Sequence, residues 1–266
     1  MAGVRGVGAR RGSARVAKGV AGVAGAAAVW EALRAASVLP EANAPSVGAI
    51  ASALVRESGG GPLATATAQT AYAWAVGFVT AAGVGVLTGT LVGLSRWADA
   101  ATGPLLNFLR PIPAVALVPV AIVLLGLGLR MQTFLIGFAS VWPVLFNTRY
   151  GVRNVDPLQL DSGRILGLRR LALVRRVVLP AALPAVFTGL RLAASIAVVV
   201  TVVSELVASG TGLGHYIDLH QQVGDAPEAF AGVVVAGAIG CLVNAAVLLA
   251  DRLTVRRRAL TSEGLR

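Results

Sequence analysis

The chain has 266 residues, of which 56% are hydrophobic and only 13% are charged, and its formal net charge is +11. A soluble globular domain carries about 25% charged residues, so this composition argues against a soluble protein. Apolar runs of about 20 residues recur along the chain, and one helix needs about that length to cross a bilayer. We therefore predict an all-α polytopic membrane protein. The positive charge is attributed to orientation in the membrane and not to nucleic-acid binding.

The N-terminal segment combines basic residues with a following apolar stretch, so it must be distinguished from a signal peptide. Residues 1–15 carry four arginines among glycine, alanine and serine, and we interpret them as a basic cytoplasmic tail. The apolar stretch continues to Leu39 with no small-residue cleavage site before Trp30, which favours a retained first span. The single cysteine, Cys241, excludes an intrachain disulfide.

Apolar segments of spanning length occur six times along the chain. The predicted spans are 17–39, 66–94, 105–127, 131–148, 185–208 and 229–250. Glu31 and Arg34 interrupt the outer end of the first span, and their spacing of three lets them pair on one helix face. Between the first two spans, a short amphipathic helix is predicted over 46–56.

Glycines mark the second predicted span. Gly85, Gly89 and Gly93 fall four residues apart, a spacing that lets another helix approach closely. Such spacing also arises by chance in a chain rich in glycine, but we favour helix packing.

Prolines mark the third predicted span. Pro111, Pro113 and Pro119 each remove a backbone donor and favour a kink. Such breaks are tolerated in a membrane where protein or a wet cavity satisfies the freed carbonyls. These prolines are therefore candidates for the wall of a translocation path, and a kink that serves packing alone is an equal alternative.

The basic residues are distributed unequally between the two faces that six spans would create. All but three of the 23 lysines and arginines fall in residues 1–18, the 95–110 turn, the polar island at 149–184 with Arg191, or residues 251–266. By the positive-inside rule, both termini and the island are predicted to be cytoplasmic. The permease domain is then 16–255, and 256–266 is a second cytoplasmic tail.

The polar island at 149–184 carries seven arginines against two acids. Asp156 is placed as an N-cap with Pro157 at the first helical position, which predicts a short helix to about Leu166. The charge alone is also compatible with an interfacial helix on anionic lipid.

The second half of the island predicts another helix. Gly167 supplies the stop of the first helix and lets the chain turn sharply. The second helix is predicted from about 168 to 178, and it ends before Pro180. The island is therefore a basic helix–glycine–helix element.

This spacing resembles the loop signature of permease subunits of bacterial ATP-binding-cassette importers, written EAA, three residues, G, nine residues, I-x-L-P. The matching residues are Asp161, Ser162 and Gly163 for the triplet, Gly167 for the glycine, and Val177, Leu179 and Pro180 for the last motif. The spacing is complete and the triplet is degenerate, because Asp161 shortens the acid and Gly163 weakens the helix relative to alanine.

The resemblance extends over about residues 25 to 255. It is carried by RPIPAVALVPVAIVLLGLG (110–128), WPVLFNTRYGVRNVDP (142–157), RRVVLPAALPAVFTGLRLA (175–193) and SELVASGTGLGHYI (204–217). These segments resemble the branch that handles nitrate, taurine and alkanesulfonates, and hydroxymethylpyrimidine-type permeases are also similar.

The resemblance implies a type I importer permease in the bacterial inner membrane, working as two copies, with a homodimer expected. Two ATPase subunits bind the island, which acts as the coupling loop, and an extracytoplasmic binding protein delivers the solute. The chain itself lacks a P-loop, because its one lysine, Lys18, is not followed by serine or threonine. We therefore expect no enzymatic activity and no cofactor in this chain.

Single polar residues inside or beside the spans leave alternatives open. Glu205 is a functional candidate near the outer end of the fifth span, with a structural or gating role favoured over substrate contact. Asn244 is predicted to make an interhelical hydrogen bond, and Arg191 either attracts an anion or marks a span boundary. A secondary transporter or channel, or an intramembrane enzyme, is the rival class, but neither ion-coupling residues nor a nucleophile–base cluster is evident.

Overall fold

The computed structural model describes residues 5–38, 40, 44–57, 59–208 and 210–263, and these residues are helical apart from short turns. The helices are α1 Arg5–Ala35, α2 Val47–Glu57, α3 Pro62–Leu94, α4 Arg96–Leu109, α5 Val118–Leu125, α6 Leu129–Arg153, α7 Pro157–Ile165, α8 Arg170–Leu173, α9 Leu179–Ala208, α10 Gly212–Gln222 and α11 Ala226–Glu263. A 3₁₀ turn at Ala114–Leu117 precedes α5, and a π turn at Val174–Val178 joins α8 to α9.

The predicted class of polytopic helical membrane protein is confirmed. Within the described residues, four helical stretches are long and apolar enough to cross a membrane, namely α3, α6, Arg170–Ala208 and Ala226–Asp251. α4 and Ala114–Leu125 together form a fifth candidate, bent by 82°. Among the described residues, α1 is not one of these candidates, and the predicted first span stays a prediction.

The core is built where α3, α6 and α9 pack closely. A Cβ atom added to Gly85 would lie 2.7 Å from Val144 Cβ, and one added to Gly89 would lie 2.6 Å from the Leu145 carbonyl oxygen. On α9, a Cβ atom at Gly189 would lie 2.7 Å from the carbonyl oxygen of α6 residue Pro143. The four-residue glycine spacing therefore serves helix packing, as predicted.

The span predicted over 105–127 is broken at its prolines, as predicted, but its bounds and the kink expected at Pro119 are wrong. α4 ends at Leu109, and the chain turns through Pro111 and Pro113, which cannot donate backbone hydrogen bonds. Pro119 does not kink a helix, because it lies in the first turn of α5, where a missing N–H needs no partner. The prolines therefore divide this segment into two helices at a large angle.

One end of the bundle is capped by α2, α10 and the start of α11. Ala53, Leu63, Leu213 and Tyr216 form their shared apolar cluster. The amphipathic helix predicted over 46–56 is confirmed as α2. We refer to this end as the outer cap, which is where the charge distribution predicts the extracytoplasmic side.

The predicted pair at the end of α1 is also confirmed. Arg34 Nη1 lies 2.8 Å from Glu31 Oε2, and Arg34 Nε donates to the Ala44 carbonyl at 2.7 Å. Glu31 accepts a hydrogen bond from the Val47 amide at 2.6 Å. The two charges therefore attach the end of α1 to the start of α2.

At the opposite end of the bundle, ion pairs join helix α4 to the polar island. Asp99 lies 2.5 Å from the guanidinium of Arg149 and also pairs with Arg153. The segment predicted as a turn after residue 95 is instead helix α4, and α4 and the island lie on one face of the bundle, as the charge count predicts.

Candidate coupling element and pathway

The first helix of the island follows its local signals. The Asp156 side chain accepts a hydrogen bond from the Leu158 amide at 2.9 Å, and Pro157 occupies the first turn of α7. Gly167 has φ +73°, in the left-handed region that glycine adopts without steric cost. The N-cap and the glycine stop therefore lie where the sequence predicts them.

The predicted end of the second helix before Pro180 is wrong. α8 passes through the π turn into α9, so that one helical stretch runs from Arg170 to Ala208. In the π turn, the Leu179 amide donates to the Val174 carbonyl, five residues earlier. This wider turn accommodates Pro180, which has no N–H and whose ring crowds the carbonyl four residues earlier in an α-helix.

The packing around Gly163 explains why the triplet has glycine where the family signature has alanine. Gly163 is the buried residue of α7, and a Cβ atom there would lie 2.5 Å from Leu173 Cδ1 and 3.4 Å from Val177 Cγ2. An alanine would therefore require the Leu173 side chain to shift. The glycine weakens the helix slightly, but it lets α7 lie directly against α8 and the π turn.

The motif residues therefore form one folded unit. Asp161, Ser162 and Gly163 lie in α7, Gly167 makes the turn, and the last three residues lie in the π turn and at the start of α9. The Ser162 hydroxyl donates to the carbonyl of Leu158 at 2.8 Å, within α7. The contact between Gly163 and the π turn joins the two halves of the motif.

The island exposes an apolar surface that the sequence analysis did not identify. Leu158, Ile165, Leu166 and Leu171 are each more than 70% exposed, and the exposed Asp161–Arg164 pair lies among them at 2.8 Å. We call these six residues the coupling surface. Leu158 and Ile165 are seven residues apart, a helical spacing that could have indicated an apolar face.

Glu205 is buried at the outer end of α9, with 1% of its surface exposed. It accepts hydrogen bonds from the Thr70 hydroxyl at 2.8 Å and from the Gly214 amide at 3.1 Å. Thr70 Oγ1 in turn accepts from the Leu213 amide at 2.7 Å. Glu205 therefore links α3, α9 and α10 by hydrogen bonds, and its side chain does not extend to the membrane–water interface.

Replacing Glu205 with alanine is expected to loosen α10 from the bundle. The change leaves the buried Thr70 hydroxyl and the Gly214 amide without their acceptor, and each unsatisfied group costs about 1–3 kcal/mol. Thermal unfolding of the purified protein should show a lower midpoint, and limited proteolysis should cut first near α10. Because Glu205 and Thr70 act together, Thr70→Val should lower the stability of the Glu205→Ala variant less than it lowers the stability of the unaltered protein. Fully additive losses of stability would contradict this role.

The pathway candidates do not meet at one place. Glu205 packs with α3 and α10, whereas the segment after Pro113 packs against α6 and α9 through Val118 and Ala121. Pro111, Pro113 and Pro119 are exposed at the bend. A role of these prolines in the pathway stays a prediction.

A groove of about 870 Å³ lies between α9 and α11, and the sequence analysis did not identify it. It is lined by Thr188, Arg191, Leu192, Ser195, Val198, Val199, Val202, Val203, Val233, Ala236, Gly237, Gly240, Cys241 and Asn244. Arg191 Nε donates to Asn244 Oδ1 at 3.1 Å. This bond confirms the interhelical role predicted for Asn244.

The outer cap also holds the two histidines of the chain. The His220 ring packs at a tilt against Tyr216, with ring centroids 4.3 Å apart, and its Nδ1 lies 3.5 Å from Asp225. Burial raises the pKa of Tyr216 to about 12, so that its hydroxyl stays protonated at neutral pH. The described residues contain no group of three acidic, histidine or cysteine side chains placed to hold a metal ion.

Comparison with solved structures supports the fold. A structure of the MetNI methionine ABC transporter in inward facing conformations matches with a TM-score of 0.59, covering 76% of this chain and 95% of that chain. Sequence identity is 21%, so this match concerns the fold alone. The predicted fold class, an all-α polytopic helical bundle, is confirmed.

Similar permeases among the curated proteins include the following three. SsuC of Bacillus subtilis, whose name assigns it to aliphatic sulfonates transport, is 33% identical over 187 residues, which is 70% of this chain and 68% of that protein. The bicarbonate transport system permease protein CmpB of Synechococcus elongatus is 38% identical, covering 68% and 66%. The nitrate import permease protein NrtB of Leptolyngbya laminosa is 32% identical, covering 65% and 62%.

The matched region spans slightly more than two thirds of SsuC and slightly less than two thirds of CmpB and NrtB. The family model described as binding-protein-dependent transport system inner membrane component matches residues 81–260. That range contains the island, the core helices α6 and α9, and α10. The chain therefore belongs to the family of binding-protein-dependent transport system inner membrane components.

Proposed function

We propose that the chain is the permease subunit of an ATP-binding-cassette importer and forms the translocation path for a small oxyanion. Membership of the family supports the permease role. The names of three relatives concern sulfonates, bicarbonate and nitrate, and this shared chemistry supports an oxyanion. The observation that best supports an ATP-driven importer is the exposed coupling surface on the island.

The coupling surface has the properties of a docking site for an ATPase subunit. Four large apolar side chains are exposed on a short, capped helix and the turn that follows it. Exposed apolar patches on this scale mark interaction sites, and full burial of each side chain would contribute about 1.5–3 kcal/mol.

The packing of α7 supplies a route from the ATPase to the pathway. α7 contacts Leu173 and Val177 through Gly163, and these two residues begin the helical stretch that ends at Ala208. A displacement of α7 would therefore move α9, whose outer end is fastened to α10 by Glu205. Coupling also requires that the ATPase bind this surface differently in its two states.

Further partners follow from the proposed class. Two copies of the chain would line the path, and a homodimer is expected from the resemblance. A binding protein would deliver the solute at the outer cap, where α2, α10 and the start of α11 are packed together. ATP would be hydrolysed by the separate ATPase subunit.

Reconstitution in proteoliposomes tests the proposal. Uptake of nitrate, bicarbonate or methanesulfonate is expected only when the ATPase subunit, the binding protein and ATP are all present. A secondary transporter or channel would instead show uptake by the permease alone under an ion or solute gradient, and that result would overturn the proposal. A Walker-lysine variant of the ATPase subunit provides the control, because it leaves the assembly intact and removes hydrolysis.

A further inference from the structure

We propose that Arg191 and Asn244 form an oxyanion-binding subsite in the groove between α9 and α11. The inference rests on the proposed function and deepens it, since it names the residues that would hold the solute. Arg191 is exposed to this groove, and Thr188 and Ser195 lie one turn to either side of it on α9.

The hydrogen bond between the two side chains leaves several unused donors at the groove. Arg191 Nε donates to Asn244 Oδ1 at 3.1 Å. Because only the oxygen of an amide accepts, this bond orients the Asn244 NH₂ group as a donor. The terminal nitrogens of Arg191 add further donors, and among the described residues no carboxylate pairs with this guanidinium.

The neighbouring hydroxyls do not compete for this donor role. Thr188 Oγ1 donates to the Pro184 carbonyl at 3.0 Å, and Ser195 Oγ donates to the Arg191 carbonyl at 3.4 Å. Both hydroxyl protons are therefore used within α9. The donors left for a ligand belong to Arg191 and Asn244, and they suit an acceptor-only ligand.

The geometry of guanidinium favours an oxyanion over a halide. Its planar donor fork matches two oxygens of a planar or tetrahedral oxyanion in a bidentate pair. Valines and leucine form most of the remaining α9 wall of the groove.

The orientation of the Arg191 side chain favours a water-filled groove. Arg191 lies about 25 Å along α9 from Ala208, at 1.5 Å per residue, which places it near the cytoplasmic end of a bilayer core of about 30 Å. A charged side chain at such depth faces a wet cavity or a partner, or it extends toward the headgroups. Here the guanidinium bonds sideways to Asn244 on α11, which favours the cavity.

Cys241 offers a direct probe, because it is the single cysteine of the chain and lines the same groove. The intact transporter in nanodiscs is treated with an anionic sulfonatoethyl or a cationic trimethylammonioethyl methanethiosulfonate. The rate with the anionic reagent divided by the rate with the cationic reagent is called the rate ratio. It is expected to fall roughly threefold or more in Arg191→Gln, because the nearby positive charge attracts the anionic reagent and repels the cationic one. Arg191→Lys should retain most of the ratio, and Arg130→Gln, outside the groove, should not change it.

Ligand protection tests the subsite itself. Nitrate or methanesulfonate should slow modification of Cys241 more than chloride does at the same concentration. Asn244→Leu should weaken this protection although the charge of Arg191 remains. Cys241→Ala controls for labelling elsewhere. The proposal is overturned if neither charged reagent reacts while a membrane-permeant maleimide does, since lipid then fills the groove, or if Arg191→Gln leaves the rate ratio unchanged.

The same variants separate this proposal from the proposed function. ATP-dependent uptake with an unchanged rate ratio in Arg191→Gln rejects the subsite and keeps the importer. Absence of ATP-dependent uptake by the unaltered transporter rejects the importer, whatever the labelling shows. The expected outcome for Arg191→Gln is both a changed ratio and weaker oxyanion uptake.

Discussion

Replacing Gly167 with valine is expected to uncouple ATP hydrolysis from uptake while the long helices stay folded. Gly167 has φ +73°, and an L-residue in this conformation costs about 1–2 kcal/mol, with more expected for β-branched valine. Relaxing that strain would reorient α7 and its coupling surface. The ratio of uptake to hydrolysis in proteoliposomes should fall roughly tenfold, since about 1.4 kcal/mol corresponds to one factor of ten.

The chain offers a matched control at Gly126. This residue has φ +74°, and an added Cβ atom meets nothing within 4 Å at either position. Gly126 also has ψ 176°, a backbone region that essentially only glycine populates, so Gly126→Val introduces backbone strain in the turn between α5 and α6 as well. We expect it to lower stability but to preserve the ratio of uptake to hydrolysis, and an equal loss of the ratio in both variants would argue against a coupling role for Gly167.

Gly89→Leu is expected to prevent the close packing of α3 on α6. An added Cβ atom would lie 2.6 Å from the Leu145 carbonyl oxygen and 2.8 Å from Thr148 Cβ. Because a backbone atom of α6 is in the way, a rotamer change cannot relieve the clash. Overpacking of this kind costs about 1–3 kcal/mol, occasionally more, so the thermal midpoint and the yield of monodisperse protein should both fall sharply.

Gly83 in the same helix provides the control for that variant. It is exposed, and an added Cβ atom there meets nothing within 4 Å. Gly83→Leu should leave the thermal midpoint unchanged or raise it, because leucine favours a helix by up to about 1 kcal/mol over glycine. If the two variants unfold alike, glycine spacing does not govern the packing of these helices.

Sequence reasoning succeeded where the determining signals are local. Asp156 and Pro157 start α7, and Gly167 ends it, because caps and left-handed turns depend on a few adjacent residues. The pairing of Glu31 with Arg34 depends likewise on one helical turn. The family resemblance depended on residue spacing in the island, which the degenerate triplet did not disturb.

Sequence reasoning failed where a distant contact decides the structure. The helix continues through Pro180 because a π turn precedes it, and that turn packs on Gly163 of another helix. The partner of Glu205 is Thr70, 135 positions away in the chain. The groove around Arg191 likewise exists only after α9 and α11 have packed.

Cysteine labelling at position 165 tests the central claim, that the island is the cytoplasmic docking element for an ATPase. Ile165→Cys is made in a Cys241→Ala background, because the side chain of Ile165 is 86% exposed on the coupling surface. Val223→Cys, at the exposed end of α10, is the control for the other face. Both are treated with a membrane-impermeant maleimide in oriented vesicles.

The account predicts that residue 165 reacts only from the cytoplasmic side and is protected when the ATPase subunit is bound. Residue 223 should react only from the opposite side and should not be affected by the ATPase. Labelling of residue 165 from outside, or equal labelling with and without the ATPase subunit, would contradict the account.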